Sequence, residues 1–148
     1  MAGPVWPSAT PPRVAAAGPA RALRWALHDV AELALVRAEL RQHTAPPPDV
    51  RRDRSDIREQ LILALDEMAS NALRHGGGRG VVAAVQETED AYLIDVADGA
   101  PQTPPRPAVD RDPSEGGLGL YLIAELATEH GWYVRGGTKH VWALLARR

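Results

Sequence analysis

Glu67, Asn71 and His75 stand four residues apart in the segment Leu65-Asp66-Glu67-Met68-Ala69-Ser70-Asn71-Ala72-Leu73-Arg74-His75. On an α-helix each step of four turns only about 40° from the last, so the three side chains form one polar row. Ile57, Leu61, Leu65, Met68 and Ala72 recur at three- and four-residue steps and make an apolar stripe that the row borders. A carboxylate and an amide beside a buried stripe are costly unless they have partners. An asparagine oxygen is a hard ligand of the kind Mg²⁺ takes together with waters and phosphate oxygens. A glutamate one turn earlier can orient or deprotonate a nucleophile attacking a γ-phosphate. The residues alone fit equally well a solvated helix edge on which His75 complements the C-terminal dipole.

Two further groups are weaker taken singly. Asp98-Gly99 ends the apolar run Ala91 to Ala97. A carboxylate there can accept a hydrogen bond from an adenine amino group while Gly99 lets the backbone pass close to the base; an ordinary Asp-Gly turn has the same letters. Gly116-Gly117-Leu118-Gly119-Leu120 precedes a helical pattern. Its N–H groups and the helix N-terminus suit a phosphate, and a flexible linker reads the same way. It matches neither a G-x-x-x-x-G-K-S/T loop nor a G-x-G-x-x-G turn after a first strand.

The elements that must position these groups follow from periodicity. Residues 1–20, rich in Pro, Ala and Gly, read as a disordered tail, and residues 21–148 as one domain. Arg21 to Leu27 alternates as a strand. Asp29 with Glu32 makes a capping box for a helix over Val30 to Gln42. A longer helix runs from Asp53 or Ser55 to His75, with Gly76 as its left-handed C-cap. Val81 to Gln86 and Ala91 to Ala97 form a hairpin, and Asp98 to Glu115 a proline-rich loop of the kind that is mobile or functional. A third helix spans Leu118 to Glu129, and a last strand pair turns at Gly136-Gly137. The order β-α-α-β-β-loop-α-β-β predicts an α/β (α+β) two-layer sandwich: a mixed, mainly antiparallel sheet with three helices on one face.

Bulk properties exclude several classes. The chain has 148 residues, 45% hydrophobic and 24% charged, with a formal net charge of -2. That fits one soluble domain and offers nothing to direct nucleic-acid binding. With no cysteine, disulfides, thiolate catalysis and cysteine-held metal are out. No apolar run is long enough for a membrane span and no signal pattern opens the chain, so the expected location is cytoplasmic.

Taken together, the three groups and their spacing resemble the N, G1 and G2 boxes of the GHKL, or Bergerat-fold, ATPase superfamily, which includes gyrase, histidine kinases and MutL. Within it the chain is most similar to the small anti-sigma factor serine kinases of the RsbW and SpoIIAB type. The resemblance covers about Asp53 to Leu145: Asp66 to Gly76 resembles that family's "(S/D)E-hydrophobic-x-x-NA-x-x-HG" helix, Asp98-Gly99 its adenine-reading turn, Gly117-Leu118-Gly119-Leu120 its glycine loop, and Val141 to Leu144 its last strand. The resemblance implies ATP and Mg²⁺ as cofactors, with Asn71 on the metal, Glu67 as base, and His75, Asp98, Gly99, Gly117, Leu118, Gly119 and Leu120 around the nucleotide. It implies as partner a STAS-domain anti-anti-sigma protein or a sigma factor, with homodimerisation possible. The chain departs from the pattern at Ala100-Pro101, where the second glycine of D-x-G-x-G is missing, and at the adenine-contacting residue of the final strand, which falls near His140. Two readings follow: a serine/threonine kinase of a STAS protein, or a module that controls its partner by contact alone. A detached histidine-kinase catalytic domain is disfavoured, because no helix pair with a phosphoacceptor histidine precedes the domain.

Overall fold

The computed structural model describes residues 6–13, 22–44, 55–75, 79–105 and 118–147. Strand β1 (Ala22–Leu27) leads through a 3-10 turn (Val30–Glu32) into helix α1 (Leu33–His43), followed by α2 (Ser55–His75), β2 (Val81–Glu87), β3 (Ala91–Asp98), α3 (Leu118–Leu126), β4 (Glu129–Arg135) and β5 (Thr138–Ala146). The sheet order is β1-β2-β3-β5-β4, and every pairing between these strands is antiparallel. The fold is the α+β sandwich that the pattern predicts. The expected mixed character reduces, among the described residues, to one parallel bridge between Ser8 and Trp132.

The capping box forms as read: Asp29 Oδ1 accepts from the Ala31 N–H at 2.7 Å and Glu32 Oε1 from the Asp29 N–H at 2.9 Å. It opens a 3-10 turn rather than the α-helix itself. On α2 the stripe is buried, with Leu61, Leu65 and Met68 at 2% exposure or less. It packs against Val81, Ala83 and Val85 of β2, Ile94 and Val96 of β3, and Val141, Ala143 and Leu145 of β5. These alternate positions define the helix-facing side of the sheet. No helix among the described residues is long and apolar enough to cross a membrane.

Two expectations are corrected. Helix α3 stops at Leu126, not Glu129, because the Thr128 N–H and hydroxyl both donate to the Leu144 carbonyl, at 2.9 and 3.0 Å, and draw the chain into the sheet. The tail expected over 1–20 fails at residues 6–13. There the Trp132 N–H donates to the Pro7 carbonyl and the Ala9 N–H to the Trp132 carbonyl, both at 2.9 Å, so the segment lies along β4. Trp6 is 3% exposed and belongs to the core, and the Trp142 indole donates to the Ala9 carbonyl at 2.7 Å. Gly131 makes this approach possible, since a Cβ there would stand 2.8 Å from the Pro7 carbonyl oxygen. A composition rich in proline and alanine hides what one buried tryptophan and two sheet hydrogen bonds achieve.

Candidate functional site

The apolar stripe of α2 turns Glu67 and Asn71 toward its rim, where both are half-buried. Asp66 next door is engaged elsewhere: it pairs at 2.5 Å with Arg37 of α1. Neither the Glu67 carboxylate nor the Asn71 amide has a hydrogen-bond partner among the described residues. The Ser70 hydroxyl donates to the Glu67 main-chain carbonyl, at 3.2 Å, and not to its carboxylate. Half-buried oxygens without partners are what a ligand would satisfy. His75, in the last turn, is exposed.

The start of α3 comes directly against this rim. A Cβ at Gly119 would lie 2.3 Å from Glu67 Oε2 and 2.6 Å from Glu67 Cβ, closer than atoms can pack. Only glycine lets the two helices meet there. Gly119 therefore lies against the α2 row, while Leu120, at 1% exposure, belongs to the core. Leu120's carbonyl also accepts from the Trp6 indole at 3.3 Å, so the N-terminal segment fastens the first turn of α3. Gly117 and Gly76, the side chain of Leu118, and the loop after Pro105 lie outside the described residues.

Asp98 closes β3 on the helix-facing side, 3% exposed. Its Oδ1 accepts from the Ala100 N–H at 2.8 Å. The Ala100 carbonyl accepts from the Thr103 N–H at 3.2 Å, and the Thr103 carbonyl accepts from Lys139 Nζ at 2.6 Å. Lys139 Nζ lies 3.4 Å from Asp98 Oδ2 and closes the circuit. The loop is thus held by a β-turn over 100–103 with Pro101 in a position that suits its fixed φ. Gly99 packs on Arg79: a Cβ there would be 3.2 Å from that side chain's Cβ. Between this loop, Arg79 and Gly137 opens a cleft of about 440 Å³. It is bounded by Gly99 and Thr103 but not by Glu67 or Asn71.

Lys139 is the residue that sequence reasoning missed. The final-strand contact was expected near His140, but β5 pairs Lys139 with Asp98 and His140 with Ala97. His140 therefore faces the open side of the sheet. Its Nδ1 lies 2.9 Å from Asp95 Oδ1 and its ring stacks on Tyr133 at 4.7 Å. The phase could have been found by running Val141, Ala143 and Leu145 backwards in steps of two. Trp142 and Leu144 on the other phase are apolar too and obscure it.

Among the described residues no group of three or more His, Asp or Glu side chains converges on one point; what α2 offers a cation is the single oxygens of Asn71 and Glu67. That donor set fits Mg²⁺, which keeps waters and phosphate oxygens for the rest of its shell. The buried Asp98 and the glycine approach at Gly119 fit a nucleotide. Comparison with curated proteins gives no match. A family model described as a histidine kinase-like ATPase domain matches residues 16–144, from before β1 into β5. With the antiparallel sheet, the α2 row and the Asp98 turn all inside that span, the chain belongs to the histidine kinase-like ATPase domain family.

Proposed function

We propose that this ATPase-family domain is a serine/threonine protein kinase of the anti-sigma type, acting on a STAS-domain anti-anti-sigma protein. The observation that carries the reading is that Glu67 and Asn71 stand at the rim of α2 without a hydrogen-bond partner among the described residues, with Gly119 of α3 pressed against Glu67. Asn71 offers its amide oxygen to Mg²⁺, which when bound neutralises triphosphate charge. Glu67 accepts the proton of the substrate hydroxyl as that oxygen bonds to the γ-phosphorus; the bond from phosphorus to the β–γ bridging oxygen breaks and ADP leaves. Glu67, Asn71 and Gly119 orient the groups, and positioning supplies much of the rate in phosphoryl transfer.

Incubation of the purified chain with labelled ATP, Mg²⁺ and candidate STAS proteins tests this. Transfer to a serine or threonine is expected, falling by about 10² to 10⁴-fold in Glu67→Gln, which keeps the shape and loses the base. A Glu67→Gln protein as active as the parent removes the base from the mechanism.

A second reading has an observation of its own. The Asp98 carboxylate already accepts from the Ala100 N–H and pairs with Lys139, as it would in a module that has given up nucleotide and holds a sigma factor or STAS protein by contact. The same assay then shows no transfer in the parent, and partner binding is indifferent to Glu67→Gln.

A further inference from the structure

Lys139, the chain's only lysine, is 4% exposed, beside Asp98 at 3%. Taking an ammonium and a carboxylate out of water costs several kcal/mol per ion, and an apolar pair in their place is often as stable. The strands they join have no need of them: they form the last rung of a ladder whose other inward rungs, Val96 with Val141, Ile94 with Ala143 and Tyr92 with Leu145, belong to the hydrophobic core.

The hydrogen bonds show what capacity remains. An ammonium has three N–H donors. Lys139 directs one at the Thr103 carbonyl, 2.6 Å away, and one at Asp98 Oδ2, 3.4 Å away; the third has no partner among the described residues. A carboxylate has about four acceptor positions. Asp98 fills one with the Ala100 N–H and one with Lys139, and Oδ2 keeps room for another. A buried donor and a buried acceptor with spare capacity therefore stand side by side where the loop leaves the sheet. The circuit through Ala100 and Thr103 fixes both in place.

We infer that Lys139 is a base-specificity residue that reads a 6-aminopurine jointly with Asp98. Asp98 accepts from the exocyclic amino group and Lys139 donates to the adjacent ring nitrogen, N1. The inference rests on ATP binding at Asp98, as in the function proposed above. A 6-oxopurine carries an exocyclic acceptor and a ring N–H, the reverse order. In the same orientation it sets its oxygen against the carboxylate and its N–H against the ammonium. The pair thus selects ATP over GTP, and the contact between Asp98 and Lys139 belongs to the binding site rather than obstructing it.

Calorimetric titration of the full chain with Mg²⁺ and three nucleotides tests this: ATP, 1-deaza-ATP, which has C–H in place of N1, and purine riboside triphosphate, which lacks the amino group. ATP is expected to bind at least about tenfold tighter than either analogue, the scale of one hydrogen bond to a charged group. In Lys139→Met, ATP and 1-deaza-ATP are expected to bind alike while purine riboside triphosphate stays weaker than ATP. Equal affinity of the unaltered protein for ATP and 1-deaza-ATP overturns the inference; a weaker purine riboside triphosphate in that case leaves Asp98 as the lone reader and the proposed function standing. No binding of ATP overturns both. If Lys139→Met does not fold, the nucleotide series on the unaltered protein decides alone, because each analogue differs from ATP by one group.

Discussion

Strands β3 and β5 are joined by two pairings of a carboxylate with a nitrogen-bearing side chain, on opposite sides of one sheet. Asp98 and Lys139 face the helices, with side chains 2% and 5% exposed. Three residues back along β3, Asp95 meets His140 on the open side, both side chains 24% exposed. The open pair has the shorter contact, 2.9 against 3.4 Å, yet it is the less demanding one. Water reaches both partners, and Tyr133 adds a hydrogen bond to Asp95 at 3.4 Å. The helix-side pair has no such relief. Depth, not distance, decides which pair constrains the chain, and strand phase decides depth.

The largest effect follows directly. Lys139→Met leaves the Asp98 carboxylate buried and unpaired, and is expected to destabilise the fold by about 3–5 kcal/mol. His140→Gln is expected to cost less than about 1 kcal/mol, as for a solvent-reached pair. The double change Asp98→Asn with Lys139→Met removes both charges and is expected to recover most of the loss. Urea denaturation of the three variants checks this. Equal losses for Lys139→Met and His140→Gln would break the comparison.

The N-terminal segment touches both sides of the sheet and offers a second contrast. On the helix side Trp6 fills the core and holds Leu120; on the open side Ala9 receives the Trp142 indole. Trp6→Ala is expected to cost about 3 kcal/mol, the low end for a tryptophan because the segment is peripheral. Trp142→Phe, which loses one hydrogen bond, is expected to cost about 1 kcal/mol. Thermal unfolding measures both. A Trp6→Ala protein as stable as the parent would restore the disordered tail that composition suggests.

Ligand binding sharpens the same division. Asn71→Ala is expected to weaken Mg-ATP binding by about tenfold or more, since a site with few protein oxygens loses one. Its cost in stability should stay below about 2 kcal/mol at a half-buried rim position. His140→Gln is expected to leave Mg-ATP affinity unchanged. Calorimetry on the two variants decides, and a nucleotide effect confined to His140→Gln would move the candidate site to the open face.

What was legible in the sequence was what is local. The α2 stripe, the Asp29–Glu32 box and the Asp98-Gly99 turn each lie within one element, so spacing alone exposes them. The Gly136-Gly137 hairpin reads as well, both glycines taking positive φ, 58° and 77°, as a two-residue turn demands. The approach of Gly119 to Glu67 was legible only as a glycine before a helix, because its cause lies about fifty residues away in sequence on another helix. The phase of β5 was illegible for a similar reason. Ladder pairing with β3 sets it, and Trp142, buried at 2% by the N-terminal segment on the nominally open side, blurs the alternation that would have revealed Lys139.

The smallest expected effect isolates the open-side cluster. Tyr133 ionises above its ordinary value of 10.0, first because burial disfavours the phenolate, then because the Asp95 charge repels it; the Arg135 cation, 5.3 Å from the ring, pulls the other way. The phenol therefore stays protonated as pH rises past 10.0, and the stability that goes with its protonated form is present below that pH and fades above it. Asp95→Asn removes the repulsion but not the burial, so the ultraviolet titration of Tyr133 should move down toward 10.0 without reaching it. Subtracting the titration of a Tyr133→Phe protein isolates the one phenol. Arg135→Gln should move the midpoint the opposite way. On the helix side, removing one charge of the Asp98–Lys139 pair is expected to cost folding stability outright. A Tyr133 titration that ignores Asp95→Asn would show that the carboxylate is turned away toward His140 alone, and the open pair would then be as closed a partnership as the buried one.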